Sequence, residues 1–282
     1  MVVQYADDTQ ILVSGKKSDL HNIIVKMERA LTSLDGWFQA SGLKVNAAKT
    51  QLMLLGSAQN LRNVPNFTVK FRDHHLLPVS DAKNLGMTFD RTLSWDSHVS
   101  AVTRRCFGTL CGLSHLRNHL PPSVVTTLVE ALVLSQIRYC ISVYGNCTQT
   151  NLSRIQKIIN FAAKVIFGRK KFDHVSDLLG NLGWLSANQL ARYHSLCLLH
   201  KVRLTGEPEI LSNDLVQMHE TRQRSTRQDH HLRVPRSRSA MGQRRFSSRA
   251  PSEYNRLPPD VKRLPVHLFA GHLKRYLRDG VA

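Results

Sequence analysis

The sequence predicts an α+β chain in which short strands and one long helix come first and helices dominate the remainder. Three observations carry this. Apolar runs flank a doubly acidic centre at Asp7 and Asp8. Apolar residues then recur at spacings of three and four from Leu20 to Phe38. After a stretch punctuated by Gly56, Pro65, Pro78 and Gly86, the same helical period returns from Trp95 to about Leu204.

Residues 1–17 place Val2-Val3 and Ile11-Leu12-Val13 on either side of the acidic pair, which is the pattern of a strand, a tight turn and a strand. Leu20, Ile23, Ile24, Met27, Leu31, Leu34 and Phe38 then form one apolar face, with Ser18 as the N-cap and Gly42 as the stop signal of a helix over 18–41. Between Leu43 and Asp90 the β-prone pieces are Gln51–Leu55, Phe67–Phe71 and Leu85–Phe89. The helical region after them has stripes such as Val99, Val102, Cys106, Leu110 and Leu113, and it predicts a bundle of four or more helices. Pro121-Pro122 suits a first helical turn, where the missing donors cost nothing. The stripes containing Trp95, Phe107, Trp184 and Tyr193 read as core. Beyond Leu204 the apolar anchors thin out, and only Val266–Leu277 has the pattern of a short terminal helix. The divisions are therefore 1–90, 91–205 and a basic, partly disordered tail over 206–282.

A chain of 282 residues exceeds one typical domain. Thirty-nine Lys and Arg against 20 Asp and Glu give a formal charge of +19, so the natural partner is a polyanion. Nucleic acid is favoured over an acidic membrane surface, because no basic amphipathic stretch with a Trp/Phe face is present. No apolar run approaches the ~18 residues of a membrane span. Five cysteines without a C-x-x-C spacing read as buried thiols of a reducing compartment. The N-terminus lacks a secretory pattern, which points to the nucleus or a cytoplasmic ribonucleoprotein. Residues 222–263 hold 12 Lys and Arg against three acids, a net of +9, a composition that is extended or disordered when alone.

Two-metal nucleotidyl transfer needs carboxylates about 3.5–4 Å from shared cations. Adjacent acids at a hairpin tip, as in Tyr5-Ala6-Asp7-Asp8, can project into such a cleft; by spacing alone, a solvated acidic turn is the commoner reading. Other constellations carry less. His115 and His119 lie four apart without an accompanying Glu and read as paired surface histidines. There is no Gly-x-Ser-x-Gly elbow and no Gly-rich phosphate loop.

The order of segments adds weight to the acidic turn. The aromatic-Ala-Asp-Asp run, then the amphipathic helix, then Ser41-Gly42-Leu43-Lys44-Val45-Asn46-Ala47-Ala48-Lys49-Thr50, resembles motifs C and D of LINE-type (non-LTR, jockey-like) retrotransposon reverse transcriptases. Asn84-Leu85-Gly86 through Asp90, followed by Leu93-Ser94-Trp95-Asp96-Ser97-His98, is similar to the family's lead into the thumb. His231 through Arg238 and Phe246 through Leu257-Pro258 resemble the C-terminal tail of jockey-like and chicken-repeat-like elements, with Ala250 and Tyr254 where that pattern has Gly and Trp.

The resemblance implies a partial polymerase palm, a thumb-like helical domain and a basic tail. It implies RNA-directed DNA polymerisation with Mg²⁺ and a partner that is RNA, DNA or their hybrid. Asp7 would be the metal-binding carboxylate, Asp8 its supporting acid, Tyr5 a packing residue near the primer terminus, and Lys49 either a solvated turn lysine or the motif D cation that can protonate pyrophosphate. Arg222, Arg224, Arg227, Arg233, Arg236, Arg238, Arg244 and Arg245 would bind nucleic acid. The motif A aspartate and the fingers lie outside this sequence, so the expectation is a C-terminal portion that is inactive alone and associates with a fuller copy of the element's polymerase. The alternatives are a nucleic-acid-binding module without catalysis and a non-functional product of a truncated element.

Overall fold

A computed structural model describes residues 1–170, 172–217, 231–237 and 239–279. The chain forms two compact units, 1–93 and 94–282, and mixes helices with small antiparallel hairpins. No described helix is long and apolar enough to cross a membrane.

The first unit begins with an antiparallel hairpin of β1 (Val2–Tyr5) and β2 (Asp8–Ile11), in which Tyr5 faces Asp8 across the ladder. A 3-10 turn at Lys17–Asp19 leads into α1 (Leu20–Ala40). The cap residue is Asp19 rather than Ser18, because the extra 3-10 turn takes up Ser18. Gly42 ends the helix in the left-handed region at φ +73°, and the Leu43 amide reaches back to Phe38 O at 2.8 Å. The short α2 (Ala58–Leu61) comes next.

Two further hairpins pair β3 (Val69–Phe71) with β4 (His74–Leu76), and β5 (Asp81–Asn84) with β6 (Met87–Asp90). Phe38, Val69, Phe71 and Met87 are buried. Gln51–Leu55 forms no strand and pairs through an isolated Leu52–Pro78 bridge, with the Val79 amide donating to Leu52 O at 2.8 Å. The expected strand Leu85–Phe89 is also displaced: Leu85-Gly86 is the two-residue loop of the third hairpin, with both residues at positive φ.

In the second unit, α3 (Asp96–Leu116) packs along α7 (Gln149–Phe167). Between them, α4 (Pro122–Val129) opens with Pro122 in its first turn, passes through a π segment at Glu130–Leu134 and continues as α5 (Ser135–Arg138). The short α6 (Ile141–Tyr144) and α8 (Ser176–Leu182) flank α7, and α9 (Ala187–Thr205) starts with a Ser186/Gln189 capping box. The core includes Val99, Val102, Cys106, Leu110, Ile155, Ile159 and Leu196, all nearly inaccessible.

The segment from 206 onward is not a detached tail. After α10 (Glu209–Ser212), residues 231–237 are held by Asn255, whose side chain accepts from the Leu232 amide at 2.9 Å and donates to Leu232 O at 2.8 Å. The chain then forms α11 (Ala240–Gln243), α12 (Phe246–Asn255), α13 (Pro259–Lys262) and α14 (Val266–Arg278), and α12 and α14 pack on α9. Tyr254, Leu257, Phe269, Leu273 and Leu277 are buried. The anchors are few and spaced among arginines, which is why composition hides them.

Candidate catalytic hairpin and its surroundings

The β1–β2 ladder pairs Val2 with Ile11, Val3 with Gln10, Gln4 with Thr9 and Tyr5 with Asp8, which leaves Ala6-Asp7 as a two-residue loop. Ala6 sits at φ +51°, the left-handed geometry that lets a two-residue loop follow the strand twist. The Gln4 side chain donates to Ala6 O at 3.2 Å across the turn. The loop therefore puts Asp7 at the tip and Asp8 at the first paired position beside it, both exposed. Tyr5 is 68% exposed, so it is no core residue of this unit.

Lys49 ends a 3-10 turn at Ala47–Lys49 and is exposed; its amide donates to Asn46 Oδ1 at 3.3 Å. Asn46 thus shapes the loop that carries Lys49. Among the described residues no salt bridge joins Lys49 to Asp7 or Asp8. The ion pair of this unit lies elsewhere: Arg72 Nε donates to Asp35 Oδ2 at 2.8 Å and its Nη2 donates to Asp35 Oδ1, tying α1 to the β3–β4 turn. The Arg72 guanidinium holds the Asp35 carboxyl below its ordinary range.

Two adjacent carboxylates suit a hard divalent cation in donor chemistry. They fall short in number, since no group of three His, Cys, Asp or Glu side chains able to hold a metal occurs among the described residues. The hairpin could therefore hold such an ion only together with further ligands, and no catalytic step is assigned to it alone. His115 and His119 are exposed, on α3 and the 3-10 turn after it.

Of the arginines expected to bind nucleic acid, Arg222, Arg224, Arg227 and Arg238 lie outside the described residues. Arg233, Arg236 and Arg245 are exposed, and Arg244 is half-buried. Arg249, from the same basic run, is structural: its Nη2 donates to Ser195 Oγ at 2.9 Å and its Nη1 to Gly145 O at 3.4 Å. Sequence reasoning also misplaced Phe107, which is 53% exposed and lies against Phe161 rather than in the core. The signal was available, because Phe107 falls one residue after Cys106 and so about 100° off the buried stripe.

Residues 1–89 match the family model described as reverse transcriptase (RNA-dependent DNA polymerase). The chain is also similar to a probable RNA-directed DNA polymerase from the transposon BS of Drosophila melanogaster, 29% identical over 174 residues. That similarity covers 59% of this chain and 18% of the relative, so the chain spans less than a fifth of the relative's length. No solved structure matches the chain. The family match over the hairpin and α1, with a relative whose similarity runs on beyond residue 89, marks residues 1–89 as reverse transcriptase sequence and makes the chain similar to part of a transposon RNA-directed DNA polymerase.

Proposed function

We propose that the first unit is part of the palm of an RNA-directed DNA polymerase, with Asp7 and Asp8 as two of its metal-holding carboxylates. The observation that supports this most is the register that pairs Tyr5 with Asp8 and leaves Asp7 at an exposed two-residue tip. Asp7 and Asp8 would help to hold divalent ions, and those ions would supply activation of the primer 3′ hydroxyl and charge neutralisation at the pyrophosphate. The residues of this chain contribute the carboxylates; Tyr5 packs beside the primer terminus, and Lys49 is the cation that approaches the leaving group. The remaining carboxylate and the nucleotide-holding residues would come from sequence outside these 282 residues. The helices of 91–205 would form the thumb-like domain, with the arginine-rich segment beyond it contacting RNA, DNA or their hybrid.

Two assays test this reading. The 282-residue chain should not extend a primer on an RNA template with Mg²⁺ or Mn²⁺, because two carboxylates cannot position both ions. Extension that vanishes in Asp7→Ala would refute that limit. In a longer chain that does extend primers, Asp7→Asn and Asp8→Asn should each abolish extension while Asp19→Asn preserves it. Full activity in Asp7→Asn would remove the hairpin from the catalytic site.

A further inference from the structure

The arginine-rich segment after residue 221 is not the sole concentration of positive charge. Between Ser97 and Phe172 the sequence has ten Lys and Arg and a single acid, Glu130. That acid is already committed, since its Oε1 accepts from Trp184 Nε1 at 2.9 Å. The helices α3 and α7 therefore carry cations over a long surface with no carboxylate among them beyond Asp96, which accepts from Asn151 at 2.7 Å at one end.

The two helices run side by side in the same direction. Arg154 Nη1 donates to Ser100 Oγ at 3.2 Å, and farther along, the Phe107 and Phe161 rings meet at 5.5 Å between centroids with 34° between planes. At the far end Arg117 Nη1 donates to Val165 O at 3.4 Å, and its guanidinium lies over Gly168, where a Cβ would come within 2.1 Å. On α7, Arg154, Lys157 and Phe161 are three and four residues apart and share one face; on α3, Ser100, Arg104 and Phe107 do the same. The result is a stripe roughly 10 Å long, at ~1.5 Å of rise per residue. Arg104, Arg154 and Lys157 are exposed, and none takes part in a salt bridge among the described residues.

The geometry points to this α3–α7 stripe as a binding surface for single-stranded nucleic acid. Phosphates lie against Arg104, Arg154 and Lys157, and a base stacks on the exposed Phe107 ring. A face that only kept the unit soluble would need the charges but not an exposed aromatic ring set among them. Cations tracking a backbone with an aromatic platform between them is the combination that grips an unpaired strand with little sequence preference. The inference rests on charge and geometry in the second unit alone and is independent of the catalytic reading of the first.

The test is fluorescence anisotropy with the full chain and a labelled RNA of about 12 nucleotides, within the usual range of single-strand site sizes, at several salt concentrations. The combined Arg104→Glu, Arg154→Glu and Lys157→Glu variant should bind at least about tenfold more weakly, and its slope of log K against log salt should be shallower by about 2, at ~0.7 per phosphate for single strands. Phe107→Ala should lose about fivefold or more with the slope unchanged, because stacking is not a counterion effect. Phe107→Leu keeps an apolar contact to Phe161 without a ring, so an equal loss there assigns the effect to stacking rather than to folding. An equal loss from Lys201→Glu, Lys274→Glu and Arg275→Glu combined would reduce the effect to net charge and overturn the proposal. Unchanged binding by Phe107→Ala, or a blunt duplex of the same length that competes better than the single strand, would overturn it as well.

Discussion

Tyr254→Phe removes one oxygen from the interior of the second unit, and the hydrogen-bond pattern sets the consequence. His200 is fully buried, and its Nε2 lies 2.9 Å from Leu264 O, a carbonyl that can only accept, so the proton is on Nε2. Nδ1 is therefore an acceptor, and Tyr254 Oη donates to it at 2.8 Å while accepting from Arg203 Nη1 at 3.1 Å. Without the hydroxyl, exposed Arg203 regains water but His200 Nδ1 keeps no donor. An orphaned buried acceptor costs about 1–3 kcal/mol. For a unit of this size that is a fall in melting temperature of about 2–12 °C.

The same hydrogen bond makes the cost depend on pH. Burial pushes His200 below its ordinary 6.5, and it does the same to His98 and His194. Neutral histidine is thus the folded form, and the stability it contributes is fully present above the ordinary value. Below that pH the unfolded chain takes up protons that the folded chain refuses. Stability then falls by at most about 1.4 kcal/mol per pH unit for each histidine, until the folded value is passed. The Tyr254 hydroxyl favours neutral His200, so Phe at this position raises the histidine's folded pKa. The cost of the substitution should therefore shrink between about pH 8 and about pH 5.5 in urea denaturation. A melting temperature within about 1 °C of wild type at the alkaline end, or a cost that grows on acidification, would refute the hydrogen-bond reasoning. Tyr276→Phe is the control, since that hydroxyl has no hydrogen bond among the described residues.

Leu85→Asn should stabilise the first unit by roughly 1 kcal/mol in denaturant titration, because Leu85 sits at φ +44° and Asn before Gly86 fits the left-handed positions of a two-residue hairpin. Asp35→Asn should lower the first unit's denaturant midpoint at neutral pH, and the difference from wild type should shrink as pH falls from 3.8, where the unfolded carboxyl takes up its proton, to below the lowered folded value, where Asp35 is protonated in both states; an equal difference at neutral pH and at the acid end would show that charge is not the bond's main feature. Asp7→Asn should change stability by no more than about 0.5 kcal/mol, as at any exposed position, and a loss above about 1 kcal/mol in Mg²⁺ that disappears in EDTA would show that this chain alone holds the ion. Cys106 and Cys147 are buried, and burial raises both thiols to about 11, so native protein at mildly alkaline pH should alkylate them far more slowly than urea-unfolded protein; comparable rates, read by mass spectrometry, would contradict the packing.

Much of the first unit was legible because local chemistry decides it. The Val-Val-Gln-Tyr and Thr-Gln-Ile runs dictate a hairpin around the acidic turn, and the apolar face from Leu20 to Phe38 dictates α1. The features that escaped were set by pairing register and tertiary placement, which side-chain type does not reveal. Leu85 looks like a strand residue by its side chain, yet the Asn84–Met87 pairing makes it a turn residue. Whether Lys49 approaches Asp7 is equally invisible to spacing, since a long helix and a loop lie between them and neither periodicity nor charge encodes their closing geometry.

The arginine-rich segment shows the same limit in a form that changes how function should be tested. Counting charge from 222 to 263 treats each cation as equivalent, but folding sorts them: Arg249 binds Ser195 and Gly145 inside the unit, Lys262 donates to Asn255 O at 3.0 Å, and Arg233, Arg236 and Arg245 remain exposed. Deleting everything after 221 would take Tyr254, Phe269 and Leu273 out of the core along with the charges. Weaker nucleic-acid binding in such a truncation would then report unfolding as readily as a missing phosphate site. Substituting Arg233, Arg236 and Arg245 by Gln in the intact chain removes charge and leaves the α9–α12–α14 packing in place. Set beside the α3–α7 variants, that comparison divides the affinity between the two basic surfaces. Both contribute if each set of substitutions lowers the salt slope, by ~0.7 for every phosphate that is no longer neutralised. If only the α3–α7 variants do so, the exposed arginines after residue 230 serve solubility, and the helical face is the binding element.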